Sequence, residues 1–352
     1  MRKIRVLHVL QSNTYSGAEN VVCQIVEMFR VNPEYTMAYT SPDGKIKTVL
    51  EQKSIQYIPL QRLSVHDVRK AINEFSPDVI HTHDIAASVI STLAARNTPI
   101  VAHVHGNHLN MRKITLKSLL VMLMSKRWKK IIWVSKSAID DYCFNQKVKS
   151  NSIVLPNIIL KNSVTEKIQE AIVNENYDCI FLGRINSIKN PIRAIDILNG
   201  VKRSIPDIKA AFVGEGALFE DCKKHIAELG LENNIKMFGY LENPMGILSK
   251  SKLLLMTSVY EGTPMCALEA MALGLPIVST PTDGIVDLIE QGRTGVYDSS
   301  DSKLIDAIVD LLGNTIKYKE FKERTIIRFE SLMDVKKYTD TLDTVYKQSI
   351  LT

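Results

Sequence analysis

No stretch of about 18 uninterrupted apolar residues occurs in this chain, so no membrane-spanning helix is expected. Cysteine is scarce. The five thiols, Cys23, Cys143, Cys179, Cys222 and Cys266, are scattered and form no C-x-x-C pair, which argues against a zinc site and for reduced core thiols in a cytosolic protein. The three-glycine fingerprint G-x-G-x-x-G is missing too. The first strand-to-helix loop, Tyr15-Ser16-Gly17-Ala18-Glu19, has a single glycine, which excludes a nicotinamide-dependent dehydrogenase. Asp-x-Asp is absent, and no internal repeat or low-complexity tract occurs. The opening residues Met1–Leu10 are basic and then apolar, but they alternate like a strand and lack a small-residue cleavage site. They read as a first strand and not as a signal peptide.

What is present is a hydrophobic content of 45% and a charged content of 23%, the balance of a globular protein. A length of 352 residues fits two domains better than one. The net charge of +6 is unevenly spread. Residues 1–165 carry 22 Lys/Arg against 11 Asp/Glu, whereas residues 166–352 carry 22 against 27. Seven cations, Arg112, Lys113, Lys117, Lys126, Arg127, Lys129 and Lys130, fall between 112 and 130 with no acid among them. Leu116 and Leu119–Met124 thread through them. A basic helix with an apolar face suits an anionic membrane surface. It equally suits an ordinary amphipathic helix packing its Leu and Met side chains in the core. Nucleic acid is not expected as a partner, because no aromatic residues interleave and no recognition motif accompanies the stretch.

Strand and helix patterns alternate along the chain. In the first half strands are expected at Ile4–Leu10, Tyr35–Thr40, Gln56–Leu60, Asp78–His83, Ile100–His105, Lys130–Val134 and Ser152–Pro156. Helices between them include Ala18–Arg30, Val65–Phe75 and Ile85–Arg96. In the second half strands are expected at Cys179–Leu182, Ala210–Val213, Lys236–Phe238, Leu253–Met256 and Pro276–Ser279. This alternation implies parallel sheets with right-handed crossovers. Ile158–Asp178 is polar and lacks alternation, so it reads as a linker, and Arg328–Tyr346 reads as one helix.

The densest chemistry lies in Glu261-Gly262-Thr263-Pro264-Met265-Cys266-Ala267-Leu268-Glu269. Thr263 is a good N-cap and Pro264 a good first helical residue, so a helix is expected to begin there. Glu261 then lies in the loop before it and Glu269 inside it. Backbone N–H groups of Gly262, Thr263 and Met265 at such a helix start suit an anionic or hydroxyl-rich ligand. The apolar run Leu253–Met256 places the loop at a strand's carboxyl end, where open α/β sheets bind ligands. After the strand ending at Leu182 come Gly183, Arg184 and Lys189, then Asn190-Pro191 to start a helix. A guanidinium and an ammonium converging there suit a diphosphate. His81 and His83 share one strand face and read as hydrogen-bonding core histidines, not as metal ligands.

These motifs closely resemble those of glycosyltransferase family 4. The carriers are Glu261-Gly-Thr-Pro-x5-Ala-Met-Ala-x-Gly-x-Pro-Ile-Val, Asp283-Gly284-Ile285, Gly292-x-Thr294-Gly295 and the Gly183-Arg184-x4-Lys189 pattern. Asn190 stands where family members usually have Gly, and Ser16 replaces the first Gly of a Gly-Gly-Ala-Glu loop. The resemblance implies an α/β GT-B fold, with two facing Rossmann-like parallel-sheet domains and an interdomain cleft. It would divide the chain into 1–160 on the acceptor side, 161–330 for the nucleotide sugar, and 331–352 crossing back. It implies retaining sugar transfer from a nucleoside-diphosphate sugar, preferably a UDP-sugar, to a hydroxyl of a glycan or lipid-linked glycan. Capsule, exopolysaccharide or lipopolysaccharide synthesis would be its setting. Glu269 would bind the ribose hydroxyls. Glu261 with Gly262, Thr263 and Pro264 would hold the donor sugar, and Arg184 and Lys189 the diphosphate. His105 would face the sugar. Gly17, Gly214 and Gly239 would line the phosphate and nucleotide loops. No metal and no cofactor is implied, because Arg and Lys take the diphosphate's charge. A cytoplasmic protein follows, peripheral on the inner membrane face if residues 112–130 bind lipid. A nucleotide-sugar epimerase and a non-catalytic binding subunit remain alternatives on the same fold.

Overall fold

A computed structural model describes residues 2–106, 109–169 and 175–351. The chain divides into two compact units, one of Met1–Ile158 with Asp334–Thr352 and one of Ile159–Met333.

The first unit is built on seven parallel strands. They are β1 (Ile4–Val9), β2 (Tyr35–Pro42), β3 (Gln56–Leu60), β4 (Val79–His83), β5 (Ile100–Val104), β6 (Trp128–Trp133) and β7 (Ser152–Val154), in the order β3-β2-β1-β4-β5-β6-β7. Every strand expected from alternation in this half appears, with ends moved by at most two residues. Parallel neighbours require crossover segments, and helices such as Gly17–Phe29 and Val65–Phe75 supply them. The central strands are covered on both faces. Every residue of β4 and β5 is buried, including His81, His83 and His103.

The basic stretch 112–130 is only partly helical. Thr115 and Ser118 form a capping box that starts the helix Leu116–Met124, a 3-10 turn Ser125–Arg127 follows, and β6 begins at Trp128. Within that helix only Ser118 and Val121 are buried. Ile114, Leu116 and Leu123 stand 72%, 75% and 52% exposed, so the apolar face is divided between core and solvent.

The second unit carries six parallel strands, β8 (Tyr177–Leu182), β9 (Ala210–Val213), β10 (Ile235–Gly239), β11 (Ser251–Met256), β12 (Ile277–Ser279) and β13 (Gly295–Tyr297). Their order is β10-β9-β8-β11-β12-β13. The edge strand β13 was not expected, because three residues are too few to display alternation. Two further expectations need correction. The stretch read as a linker contains the helix Lys161–Gln169, which buries Ser163 and Val164; its remainder, 170–174, lies outside the described residues. The single helix expected over Arg328–Tyr346 is two, Thr315–Leu332 and Val335–Leu351. Asp334 divides them, accepting the Lys337 N–H on Oδ1 at 2.8 Å as an N-cap does. The second of these helices packs on β4, β5 and β6 of the first unit, with Tyr346 Oη 2.8 Å from His81 Nδ1.

Candidate active site

The strand order of the second unit reverses at β8. From there β9 and β10 extend one way, and β11, β12 and β13 lie on the other side. Loops leaving the carboxyl ends of β8 and β11 therefore diverge, and open α/β sheets bind ligands in the crevice this makes. Arg184 and Lys189 follow β8, and Glu261 follows β11. Backbone and side-chain bonds tie the two loops together. The Val259 N–H donates to Ile188 O at 2.8 Å, and Thr257 Oγ1 donates to Lys189 O at 3.1 Å and Asn190 O at 2.7 Å. Asn190 has φ +51° immediately before Pro191, a left-handed conformation costing about 1–2 kcal/mol for a residue with a Cβ. The Thr257 bond helps hold that geometry.

Lys189 Nζ meets Glu261 Oε1 at 2.5 Å, with side chains only 16% and 11% exposed. Ser258 Oγ donates to the same Oε1 at 2.6 Å. Burial works to lower the Lys189 pKa, but the Glu261 carboxylate overrides it, so the net shift is upward. Lys189 is thus held charged. Arg184 is exposed and its guanidinium makes no hydrogen bond or ion pair with the described residues, though its charge is felt at Lys189. Cys266 feels the charges of these groups. Burial pushes its thiol up to about 12, with Lys189 opposing and the Glu261 and Glu269 carboxylates adding to the rise. Glu269 is 9% exposed, inside the helix Met265–Ala272. One cluster therefore holds Lys189, Glu261, Cys266 and Glu269.

Gly262, Thr263 and Pro264 are buried between Glu261 and that helix. The expected cap is displaced by one residue. Pro264, at ψ 120°, is the N-cap, and Met265 is the first helical residue. Pro264 O already accepts from Ala267 at 3.1 Å and Leu268 at 3.3 Å, which fixes the helix start. Two glycines are required by close approach. A Cβ on Gly284 would lie 1.5 Å from Gly262 O, and one on Gly214 would lie 1.9 Å from Gly183 O. The Gly214 N–H donates to Gly239 O at 2.8 Å, so the ends of β8, β9 and β10 meet through bare backbone.

In the first unit Gly17 is exposed and begins the helix after β1, with Ser16 at its N-cap. Ser16 Oγ donates to Glu19 Oε2 at 2.5 Å. His105 is partly exposed just beyond β5, and its N–H donates to Asp84 Oδ1 at 3.2 Å. It belongs to a cluster of five. His83 Nδ1 lies 2.8 Å from His105 Nε2, and His83 Nε2 lies 3.0 Å from His8 Nδ1, while His103 stacks on His105 with centroids 4.1 Å apart. Burial lowers the pKa of every ring. His8 falls to about 3, His81, His83 and His103 fall well below the ordinary value, and His105 falls with Asp84 opposing. All five rings are held neutral.

Sequence reasoning missed Ser258, His8 and His103. Ser258 follows a recognised strand end three residues before Glu261, which is a signal in hindsight. His8 and His103 looked like ordinary strand residues, and only the registers His8↔His81 and His83↔His103 assemble the cluster.

Cations and carboxylates at a topological switch suit a charged, hydroxyl-bearing ligand, and sequence comparison supplies the class. The family "Glycosyl transferases group 1" matches residues 163–328, and "Glycosyltransferase Family 4" matches residues 16–159. The chain belongs to this glycosyltransferase family. It is 26% identical over 231 residues to the poly(glycerol-phosphate) alpha-glucosyltransferase of Bacillus subtilis, covering 63% of this chain and 34% of that protein. It is 24% identical to the UDP-Gal:alpha-D-GlcNAc-diphosphoundecaprenol alpha-1,3-galactosyltransferase of Escherichia coli, covering 80% of each. It is 23% identical to the capsular polysaccharide biosynthesis glycosyltransferase CapH of Staphylococcus aureus, covering 99% of this chain and 100% of that one. Against the first three curated relatives the chain spans 34%, 58% and 47% of their lengths. The crystal structure of Anabaena HepE with UDP-glucose superposes with a TM-score of 0.84 at 22% identity, covering 98% of this chain and 100% of HepE. The fold is thus GT-B, with two Rossmann-like parallel-sheet domains.

Proposed function

We propose that this chain is a retaining glycosyltransferase, moving a sugar from a UDP-sugar to a hydroxyl of a glycan or lipid-linked glycan during cell-surface polysaccharide synthesis. The observation that carries this reading is the Lys189–Glu261 pair at the switch point, with the unpaired Arg184 guanidinium beside it. A carboxylate keeps Lys189 charged and in place, while Arg184 is available for a second phosphate oxygen. Glu269 accepts the ribose hydroxyls, and Glu261 with the Gly262–Pro264 backbone holds the donor sugar. By the family resemblance His105 would contact that sugar, and Gly17, Gly214 and Gly239 would let backbone approach the nucleotide. The bond from the anomeric carbon to the diphosphate breaks as the acceptor oxygen bonds to the same face. The acceptor's proton passes to the departing phosphate, whose charge Arg184 and Lys189 stabilise. UDP is favoured because one relative and the HepE complex are named for UDP-sugars.

The exposed Ile114, Leu116 and Leu123, amid exposed Lys113, Lys126 and Arg127, support docking of this protein on the inner face of the plasma membrane. Vesicles containing anionic lipid should retain it at low salt and release it at high salt; indifference to them at low salt would remove this part of the reading.

The test of the main reading is calorimetric titration with UDP and with GDP, without added metal. UDP binding in preference to GDP supports it and justifies an acceptor screen. Binding of neither overturns the sugar-nucleotide assignment. Conversion of donor alone to an isomer would replace transfer by epimerisation.

A further inference from the structure

Building on the sugar-transfer reading, and resting on it, we propose that Ser258 is a positioning residue for the donor. Its hydroxyl pins one oxygen of Glu261 and so keeps the other free for the donor sugar.

Two donors converge on a single carboxylate oxygen. Lys189 Nζ lies 2.5 Å from Glu261 Oε1, and Ser258 Oγ donates to the same atom at 2.6 Å. An ionised carboxylate offers about two lone-pair sites on each oxygen, so these two donors fill Oε1. Oε2 has no hydrogen-bond partner among the described residues, and it is not among the atoms sealed from solvent. The carboxylate is therefore asymmetric, with one oxygen saturated and the other open to a ligand's hydroxyl.

The ammonium alone would not fix this arrangement. The last torsion of a Glu side chain is broad. A Lys ammonium is a compact charge with three rotatable donors, so it can bridge both oxygens as readily as it takes one. A second donor, reaching Oε1 from another side chain, defines the carboxylate plane and holds Oε2 out of such a bridge.

Ser258 is itself well anchored. It is 3% exposed and stands two residues beyond the end of β11 at Met256. Its carbonyl accepts from Thr280 Oγ1 at 2.7 Å, and Thr280 follows the end of the neighbouring strand β12. The residue before it, Thr257, bonds the Lys189 and Asn190 carbonyls. Two consecutive buried hydroxyls thus hold the two halves of the ion pair. Thr257 secures the backbone of the cation, and Ser258 sets the plane of the anion.

UDP carries no sugar, so this positioning should be felt by a UDP-sugar and not by UDP. The test is calorimetric titration of the wild type, Ser258→Ala and Ser258→Thr with UDP, UDP-glucose, UDP-galactose and UDP-N-acetylglucosamine. Ser258→Ala should bind UDP within about twofold of the wild type but bind the wild type's best donor about tenfold more weakly, the scale of one hydrogen bond to a charged group. Ser258→Thr keeps the hydroxyl and should restore donor affinity relative to UDP. Unchanged donor affinity in Ser258→Ala overturns the assignment. Equal weakening of UDP and donor also overturns it, because a purely structural role would act on both. If Ser258→Ala does not fold, Ser258→Cys, close in size but a weak donor, is read in the same way. A wild type that binds UDP but none of the three donors overturns the role of Ser258 and leaves the nucleotide site standing. A wild type that binds none of the four ligands overturns the sugar-nucleotide reading itself.

Discussion

The Lys189 ammonium and the Glu261 carboxylate neutralise each other where water is scarce, so removing one leaves the other stranded. Replacing Lys189 by Ala should depress turnover more than donor affinity, because its charge matters most when the diphosphate departs. Single-turnover kinetics beside UDP titration reads the two separately, and equal losses would make Lys189 a binding residue only. The same variant should lose stability, by about 3–5 kcal/mol at most for a fully buried partner. A Lys189→Met/Glu261→Gln double variant should recover much of that in denaturant unfolding without recovering turnover. Glu269 poses a different question, since its assignment to ribose follows from resemblance and position. A hydrogen bond to a charged group is worth about 1.5–3 kcal/mol, so Glu269→Ala should weaken UDP binding roughly 10- to 150-fold. An unchanged affinity would remove Glu269 from the nucleotide. These charged residues were legible because loop residues at strand ends occur in recognisable spacings. Ser258 and His103 were not, since their roles exist only once distant segments meet.

Among elements, the loops at the carboxyl ends of the second sheet are governed by glycine contacts more than by side chains. Gly284→Ala would drive a Cβ to 1.5 Å from Gly262 O, so the Glu261–Pro264 loop must move. A loss of about 1–3 kcal/mol in thermal or denaturant unfolding, with weakened UDP binding, is expected. Gly292→Ala is the matched comparison. With φ +72° and no atom within 4 Å, it should cost about 1–2 kcal/mol of backbone strain and leave UDP affinity intact. If both variants bind UDP normally, the glycine contact does not shape the site. The buried parallel strands were readable from apolar runs and alternation, as β4 and β11 illustrate. Short elements were not. β13 spans three residues, and the helix Lys161–Gln169 buries so little that its pattern resembles a loop. The break at Asp334 escaped notice because the periodicity on both sides is helical, and one side chain capping the next turn decides the boundary.

For the whole molecule, the return of the chain to its first unit has consequences for pH and for assembly. Burial raises the pKa of Tyr338 and Tyr346, and burial with the Asp343 bond raises that of Tyr35. These phenols cluster where the last helix packs. Above pH of about 10 the unfolded chain gives up phenolic protons that the folded unit retains, so stability must fall as pH rises. Each phenol contributes up to about 1.4 kcal/mol per pH unit between its unfolded and folded values. Thermal unfolding should weaken above that pH, with tyrosinate absorbance appearing together with unfolding; smooth ionisation in the folded state would contradict the burial. During synthesis, the strands of the first sheet leave the ribosome early, but the helix Val335–Leu351 that covers β4, β5 and β6 comes last. At about 5–20 residues per second, the second unit is made in an interval of roughly ten seconds or more. Throughout it the nascent first sheet lacks its cover, an opportunity for chaperone capture or aggregation. The half made first is the half finished last.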